Sequence, residues 1–137
     1  MGKKIIVKVA AGLGNQMFMY ANAFSLAKRF DYKLFIDNTS GFFQAKNRTF
    51  ERAFGLNSFS LTADLANKSD KYDNYFTHNY KKIIKTLNKF QKNKAFLTDP
   101  RSSNKKTYYE KIDSPLSDTV YLEGYFESEK YFFDLKT

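Results

Sequence analysis

IIVKVAAGLGNQMFMYANAFSLAKRFDYKLFID, residues 5–37, decides how the chain is read. Ile5 to Val9 is a short run dominated by β-branched residues and stopped by a turn, the pattern of a buried strand. Ala10 to Gly14 is the turn. Asn15 to Phe30 reads as a helix, with Met17, Tyr20, Ala21, Phe24 and Ala27 at helical spacing as its buried stripe. Lys28 and Arg29 stand in its last turn, where cations suit the helix dipole. Lys33 to Ile36 is a second strand, ended by Asp37 and Asn38. A strand, helix and strand in this order predict a parallel pair joined by a helical crossover, hence an α/β fold with a parallel sheet flanked by helices.

Farther along, the pattern is less regular. Phe42, Phe43, Phe50, Phe54, Leu56 and Phe59 predict short helical turns over an apolar surface. The polar stretch 62–74 reads as a loop. From Asn79 to Gln91 an amphipathic helix is expected. Tyr80, Ile83, Ile84, Leu87 and Phe90 fall on one side, and Lys81, Lys82, Lys85, Lys89 and Lys92 largely on the other. Ala95 to Leu97 and Val120 to Glu123 are short strands, separated by a loop that holds Pro100 and Pro115. Gly124 to Phe126 turns, and Ser128 is placed to cap a further helix.

The bulk properties narrow the function. A length of 137 residues suits one domain. Aromatic residues make up 18% of it, too many for a disordered chain. The absence of cysteine rules out disulfides and cysteine-zinc sites. A net charge of +9 points to anionic partners: nucleotides, phosphorylated carriers or an acidic membrane surface. No nucleic-acid motif accompanies the charge, so nucleic acid is not expected as a partner. Lys8 interrupts the first apolar run, which argues against a secretory leader. His78 stands alone and is expected at the surface. With no Asp-x-Asp triad or histidine cluster, no metal is expected.

The turn itself has several readings. Strand, Gly12-x-Gly14 and helix is a geometry that aims backbone N–H groups at an anion, and glycine permits positive φ and close approach. Asp37 stands about where a dinucleotide fold places its ribose-binding acid. Met17 occupies the third glycine position of that fingerprint, which weighs against a nicotinamide or flavin oxidoreductase domain. Asn15 and Gln16 offer uncharged donors and acceptors suited to a sugar or phosphate. Asn15 alternatively serves only as the helix N-cap.

Two blocks go further. "AGLGNQMFMYANAFSLAKRF" resembles the opening motif of the bacterial α-1,2-fucosyltransferases (glycosyltransferase family 11), approximately GGLGNQMFQYA. "LEGYFESEKYF", Leu122 to Phe132, resembles that family's G-Y-F/W-Q-S-x-K-Y-F segment, in the same order along the chain. Ala11, Met19 and Glu127 depart from the family pattern, but Gly12 to Gln16 keep its core. The family's H-x-R-R-x-D strand, whose arginine holds the donor pyrophosphate, has no match here.

The resemblance implies that residues 1–137 form the N-terminal Rossmann-like lobe of a two-lobed GT-B enzyme, without its donor-binding lobe. It implies GDP-fucose as donor substrate, a galactoside of a surface glycan as acceptor, no metal or other cofactor, and a bacterial cytoplasmic location. The lysine face from Lys81 to Lys92 is read as a solvated helix face or, alternatively, as a surface that docks on an anionic membrane or on lipid-linked glycan phosphates, which would place the protein peripherally on the inner membrane. Gly12, Gly14, Asn15 and Gln16 become candidates for donor or substrate binding, with Asn15 facing the fucose and phosphate side. Tyr125 and Phe126 are candidates for stacking on a sugar. Asp37 and Glu123 are weak candidates for the base, and a turn residue is the plainer reading of Asp37. On its own the chain is expected to be inactive, and a non-catalytic glycan-binding remnant is the alternative.

Overall fold

The computed structural model describes residues 2–10, 12–41, 55–56, 63–98 and 116–124. They form a five-stranded sheet with one long helix on each face. In chain order the elements are β1 (Lys4–Lys8), α1 (Leu13–Phe30), β2 (Lys33–Asp37), β3 (Asp64–Leu65), a short 3₁₀ helix (Lys68–Asp70), α2 (Tyr75–Asn88), β4 (Lys94–Thr98) and β5 (Leu116–Glu123). The strands lie in the order β3-β2-β1-β5-β4, and every pairing is parallel. The α/β reading of the sequence therefore holds, with β1 at the centre.

β1 takes that place because Ile5, Ile6 and Val7 are apolar on both faces, as a strand covered on both sides requires. Ile5 and Val7 face α1, in a core with Met19, Ala23, Leu26, Ala27, Leu34, Ile36, Val120 and Leu122. Ile6 faces the other way, into a smaller cluster with Ala66, Phe96 and Tyr121, against which Tyr72 and Ile84 pack.

α1 begins two residues earlier than the pattern predicts and is rotated from the expected stripe. Met19, Ala23, Leu26 and Ala27 are buried, together with the polar Gln16, Asn22 and Ser25. Tyr20 and Phe24 pack at the margin of that core. Met17 is 49% exposed and Ala21 only half-buried. Small residues Ala23 and Ala27 let the helix approach the sheet, so the stripe with fewer rings wins. The helix ends at Asp31, in the left-handed region at φ 60°, a conformation an aspartate tolerates better than most side chains.

Other boundaries also move. The stretch read as a loop contains β3 and the 3₁₀ helix, and its last residue starts α2. Asn74 accepts a hydrogen bond from the Thr77 backbone N–H at 2.8 Å, and the Thr77 hydroxyl accepts from the Asn74 N–H, a reciprocal capping box. α2 thus runs from Tyr75 rather than Asn79, and His78 lies half-buried in it rather than in a surface loop. β5 starts at Leu116 and is longer than expected. Leu56, predicted in a helical turn over the core, is buried among the α1-side apolar residues. Most of the other turns expected between Phe42 and Phe59, and the helix expected after Ser128, lie outside the described residues.

Candidate functional site

In a parallel sheet, ligands bind beyond the carboxyl ends of the strands, where neighbouring connections run to opposite faces. Here the carboxyl ends of β1, β2 and β5 lie side by side, with α1 on one face of the sheet and α2 on the other. Four of the sequence-derived candidate positions are at or next to this edge. Gly12 ends the turn after β1 and Gly14 follows in the first turn of α1, Asp37 is the last residue of β2, and Glu123 is the last residue of β5.

The turn works differently from expectation in one respect. Gly12 is the α1 N-cap at φ −78°, and Gly14 lies inside the helix, so neither uses positive φ. Among the described glycines only Gly124 does, at φ 138°. What Gly14 offers is space: a Cβ added there would meet nothing within 4 Å. Asn15 is not the N-cap. It is the third helical residue and partly accessible. The α1 N-terminus has no side-chain cap and no acidic residue in its first turn. Among the described residues no side chain caps its N–H groups, and an outside anion or water suits them and the helix dipole. α2, by contrast, caps itself.

Gln16 is 1% exposed, and its Oε1 accepts a hydrogen bond from the Gly55 N–H at 2.9 Å. Its amide oxygen thus ties the 55–56 segment to α1. Met17 is 49% exposed, so the third position of the dinucleotide fingerprint does not sit at the close helix–strand contact here.

Asp37 is fully buried. Its Oδ1 accepts from the backbone N–H groups of Thr39 and Ser40 at 3.2 and 3.0 Å, and its Oδ2 accepts from the Tyr121 hydroxyl at 2.6 Å. Burial first, then the Asp37 charge, push the Tyr121 phenol far above its ordinary range. The carboxylate is saturated by a turn and a buried phenol, the arrangement of a structural residue. Gly41, which closes the same turn, has no room for a side chain: an added Cβ would lie 2.3 Å from the Val9 carbonyl oxygen. The turn after β2 is thereby pressed against the end of β1.

Glu123 is the centre of a charge cluster that the sequence did not disclose. Its Oε1 accepts from Lys8 Nζ at 2.6 Å and Lys81 Nζ at 2.8 Å, and its Oε2 accepts from Lys85 Nζ at 2.6 Å. Burial pushes the Glu123 carboxyl up, but Lys8, Lys81 and Lys85 outweigh it and hold the group well below the usual carboxylate range. Lys81 is itself 4% exposed. Burial lowers its ammonium below the ordinary lysine value, and the bond to Glu123 works against that. The ammonium lies 5.7 and 6.0 Å from the ring centres of Tyr72 and Tyr121, which supply cation–π contact. His78, nearby on α2, is lowered by burial and by Lys81 and Lys82. Three ammonium groups meet one carboxylate, so the sheet edge keeps a positive surplus. Lys8 was read only as an interruption of the first apolar run, not as a site residue, and only the β1–β5 pairing exposes its partner.

Tyr125 and Phe126 lie outside the described residues. Among the described residues no three acidic, histidine or cysteine side chains gather as metal ligands would.

The chain is similar to two curated Escherichia coli proteins. It is 27% identical to an α-1,2-colitosyltransferase over 96% of this chain and 42% of that protein. It is 33% identical to the O-antigen biosynthesis glycosyltransferase WbnK over 61% of this chain and 26% of that protein. The chain thus spans less than half the length of the relatives it matches. No family model matches it, and no solved structure does. Both relatives are glycosyltransferases, and the likeness to the first runs through both the glycine turn and the β5 edge.

Proposed function

We propose that this chain forms the N-terminal lobe of a GDP-fucose-dependent galactoside α-1,2-fucosyltransferase that acts on a surface glycan. The observation that carries the reading is the Gly12–Gln16 turn, uncapped and uncrowded at the carboxyl edge of a parallel sheet, in a chain similar to two glycosyltransferases.

Transfer of a sugar from a nucleoside diphosphate needs compensation for charge on the departing diphosphate and alignment of the two sugars. The N–H groups of the α1 first turn and the positive surplus around Glu123 suit the first need. The Asn15 amide suits the second, holding hydroxyl or phosphate oxygens at the cleft. Glu123 is too strongly stabilised as a carboxylate to accept a proton readily. In this reading it gathers Lys8, Lys81 and Lys85 rather than serving as the base, and Asp37 shapes the turn.

A second reading replaces fucose by colitose, which is fucose lacking one ring hydroxyl, because one relative carries that sugar in its name. A pocket that hydrogen-bonds the extra hydroxyl rejects the analogue by about 10⁴-fold or more, so the donors separate cleanly in competition.

The test is transfer by the complete gene product, supplied with GDP-fucose and a panel of galactosides, with products weighed by mass spectrometry. The expected product is heavier by one deoxyhexose, and Asn15→Ala lowers its rate by roughly a hundredfold. Transfer of fucose to no galactoside rejects the fucosyl reading. The 137-residue chain by itself is expected to show no turnover.

A further inference from the structure

α2 presents its apolar face to water. Phe76, Tyr80, Ile83 and Leu87 recur at spacings of four, three and four residues, the seam of an amphipathic helix. They are 82%, 54%, 61% and 56% exposed, and Tyr75 and Phe90 extend the patch at either end. Isolated exposed apolar residues are ordinary, but a contiguous set along one helix marks a surface that something covers.

The charge around the seam says what kind of surface. Residues 75–98 hold six lysines and no aspartate or glutamate. Lys81 and Lys85 are engaged by Glu123, which leaves Lys82, Lys89 and Lys92 exposed along the flank of α2 and just past its end, away from the seam itself. A second copy of this helix would bring like charges together. An acidic layer would neutralise them, and aromatic side chains with an apolar body suit the boundary between headgroups and acyl chains. At 14 residues, or about 21 Å, α2 is too short to span a bilayer, and no described helix is long and apolar enough to do so.

We propose that α2 is an interfacial anchor that lays Phe76, Tyr80, Ile83 and Leu87 into an anionic lipid surface, with Lys82, Lys89 and Lys92 against the headgroups. The sheet edge bearing Glu123 then sits beside that surface, because Lys81 and Lys85 join α2 to it. This inference does not depend on which sugar, if any, the protein transfers.

The experiment is co-sedimentation of the complete gene product with vesicles of phosphatidylglycerol and phosphatidylcholine, against phosphatidylcholine alone. Binding is expected to be at least about tenfold tighter with the anionic lipid and to weaken when salt is raised to about 0.5 M. The Ile83→Ser/Leu87→Ser variant is expected to lose more than about tenfold per residue. Lys82→Gln, Lys89→Gln and Lys92→Gln are expected to lose about fivefold each. Neither set should shift the urea midpoint, since these side chains are exposed. Equal binding to neutral vesicles, or none to anionic ones, overturns the proposal. So does a concentration-dependent dimer abolished by Ile83→Ser/Leu87→Ser, which would make a second copy the occupant. A clear fall in the urea midpoint of that variant also overturns it, because the seam would then be covered by the chain's own residues.

Discussion

α1 lays Met19, Ala23, Leu26 and Ala27 on the sheet, whereas α2 lays Lys81, Ile84 and Asn88 on it and leaves four large apolar side chains in water. Both helices have an apolar and a polar side, and both cover one face of the same five strands. The difference lies in what each meets. α1 crosses the middle of the sheet, where Ile5, Val7, Leu34 and Val120 offer a continuous apolar surface. α2 meets the small cluster around Ile6, Phe96 and Tyr121, and close to it the carboxylate of Glu123 at the strand ends. A charged group held at a sheet edge needs a partner more than the helix needs to hide its leucine, because an unpaired buried charge costs several kcal/mol. Asn88 adds a second tether. Its Nδ2 donates to the Phe96 carbonyl at 3.1 Å, and its Oδ1 accepts from the Ala95 N–H at 2.8 Å. Two polar fastenings, Lys81 and Asn88, each about one turn of helix from Ile84 and on either side of it, fix the rotation of α2 about its axis.

The contrast is sharpest for matched leucines. Leu26→Ala removes a fully buried side chain and is expected to cost about 4 kcal/mol in urea unfolding. Leu87→Ala should stay within about 0.5 kcal/mol. Comparable losses at the two sites would break the comparison, since α2 would then be using its apolar face to hold the fold.

Glu123→Gln tests the charge fastening. It leaves Lys8, Lys81 and Lys85 facing one another, and the expected loss is about 2 kcal/mol, moderated because Lys8 and Lys85 keep some access to water. The pH dependence follows from the same group. Its folded-state pKa lies below the unfolded value, so its stabilisation is complete above the ordinary carboxylate range. As pH falls below about 4.5 the unfolded chain takes up the proton first, and that stabilisation declines progressively. Chemical denaturation between pH 7 and pH 3 should therefore show a steeper decline for the wild type than for Glu123→Gln. Parallel declines would mean that the carboxylate is not held by its lysines.

A smaller effect is expected at the second tether. Asn88→Ala leaves the Ala95 N–H and the Phe96 carbonyl without their side-chain partner, at a cost of about 1 to 2 kcal/mol. Hydrogen exchange at the Ala95 amide should accelerate more than at Val120. Unchanged protection at Ala95 would assign the rotation of α2 to the lysine–glutamate pairs alone.

Much of the candidate site was legible before any fold was known. Gly12, Gly14, Asn15 and Gln16 stood out because a strand, two glycines and a helix are a local pattern, and local patterns survive in a single sequence. Asp37 was visible as the end of a strand, and its plainer reading as a turn residue agrees with its bonds to Thr39, Ser40 and Tyr121. Lys8 and Lys81 were not legible as site residues. Lys8 is the end of a strand and Lys81 one lysine among many, and their common partner is 115 and 42 residues away along the chain. Burial of a lysine runs against composition, so only the pairing reveals it.

The sequence by itself determined the α/β class, the buried strand at Ile5 to Val9 and the glycine turn, because residue periodicity and backbone freedom act over a few neighbours. The tertiary structure alone decided which side of each helix faces the sheet. α1 turned from Met17 and Ala21 to Met19 and Ala23, and α2 turned its lysine inward. Helix rotation depends on the surface the helix is set against, and that surface is assembled from strands distant in sequence. Where it carries a half-buried carboxylate, charge pairing outweighs the apolar stripe.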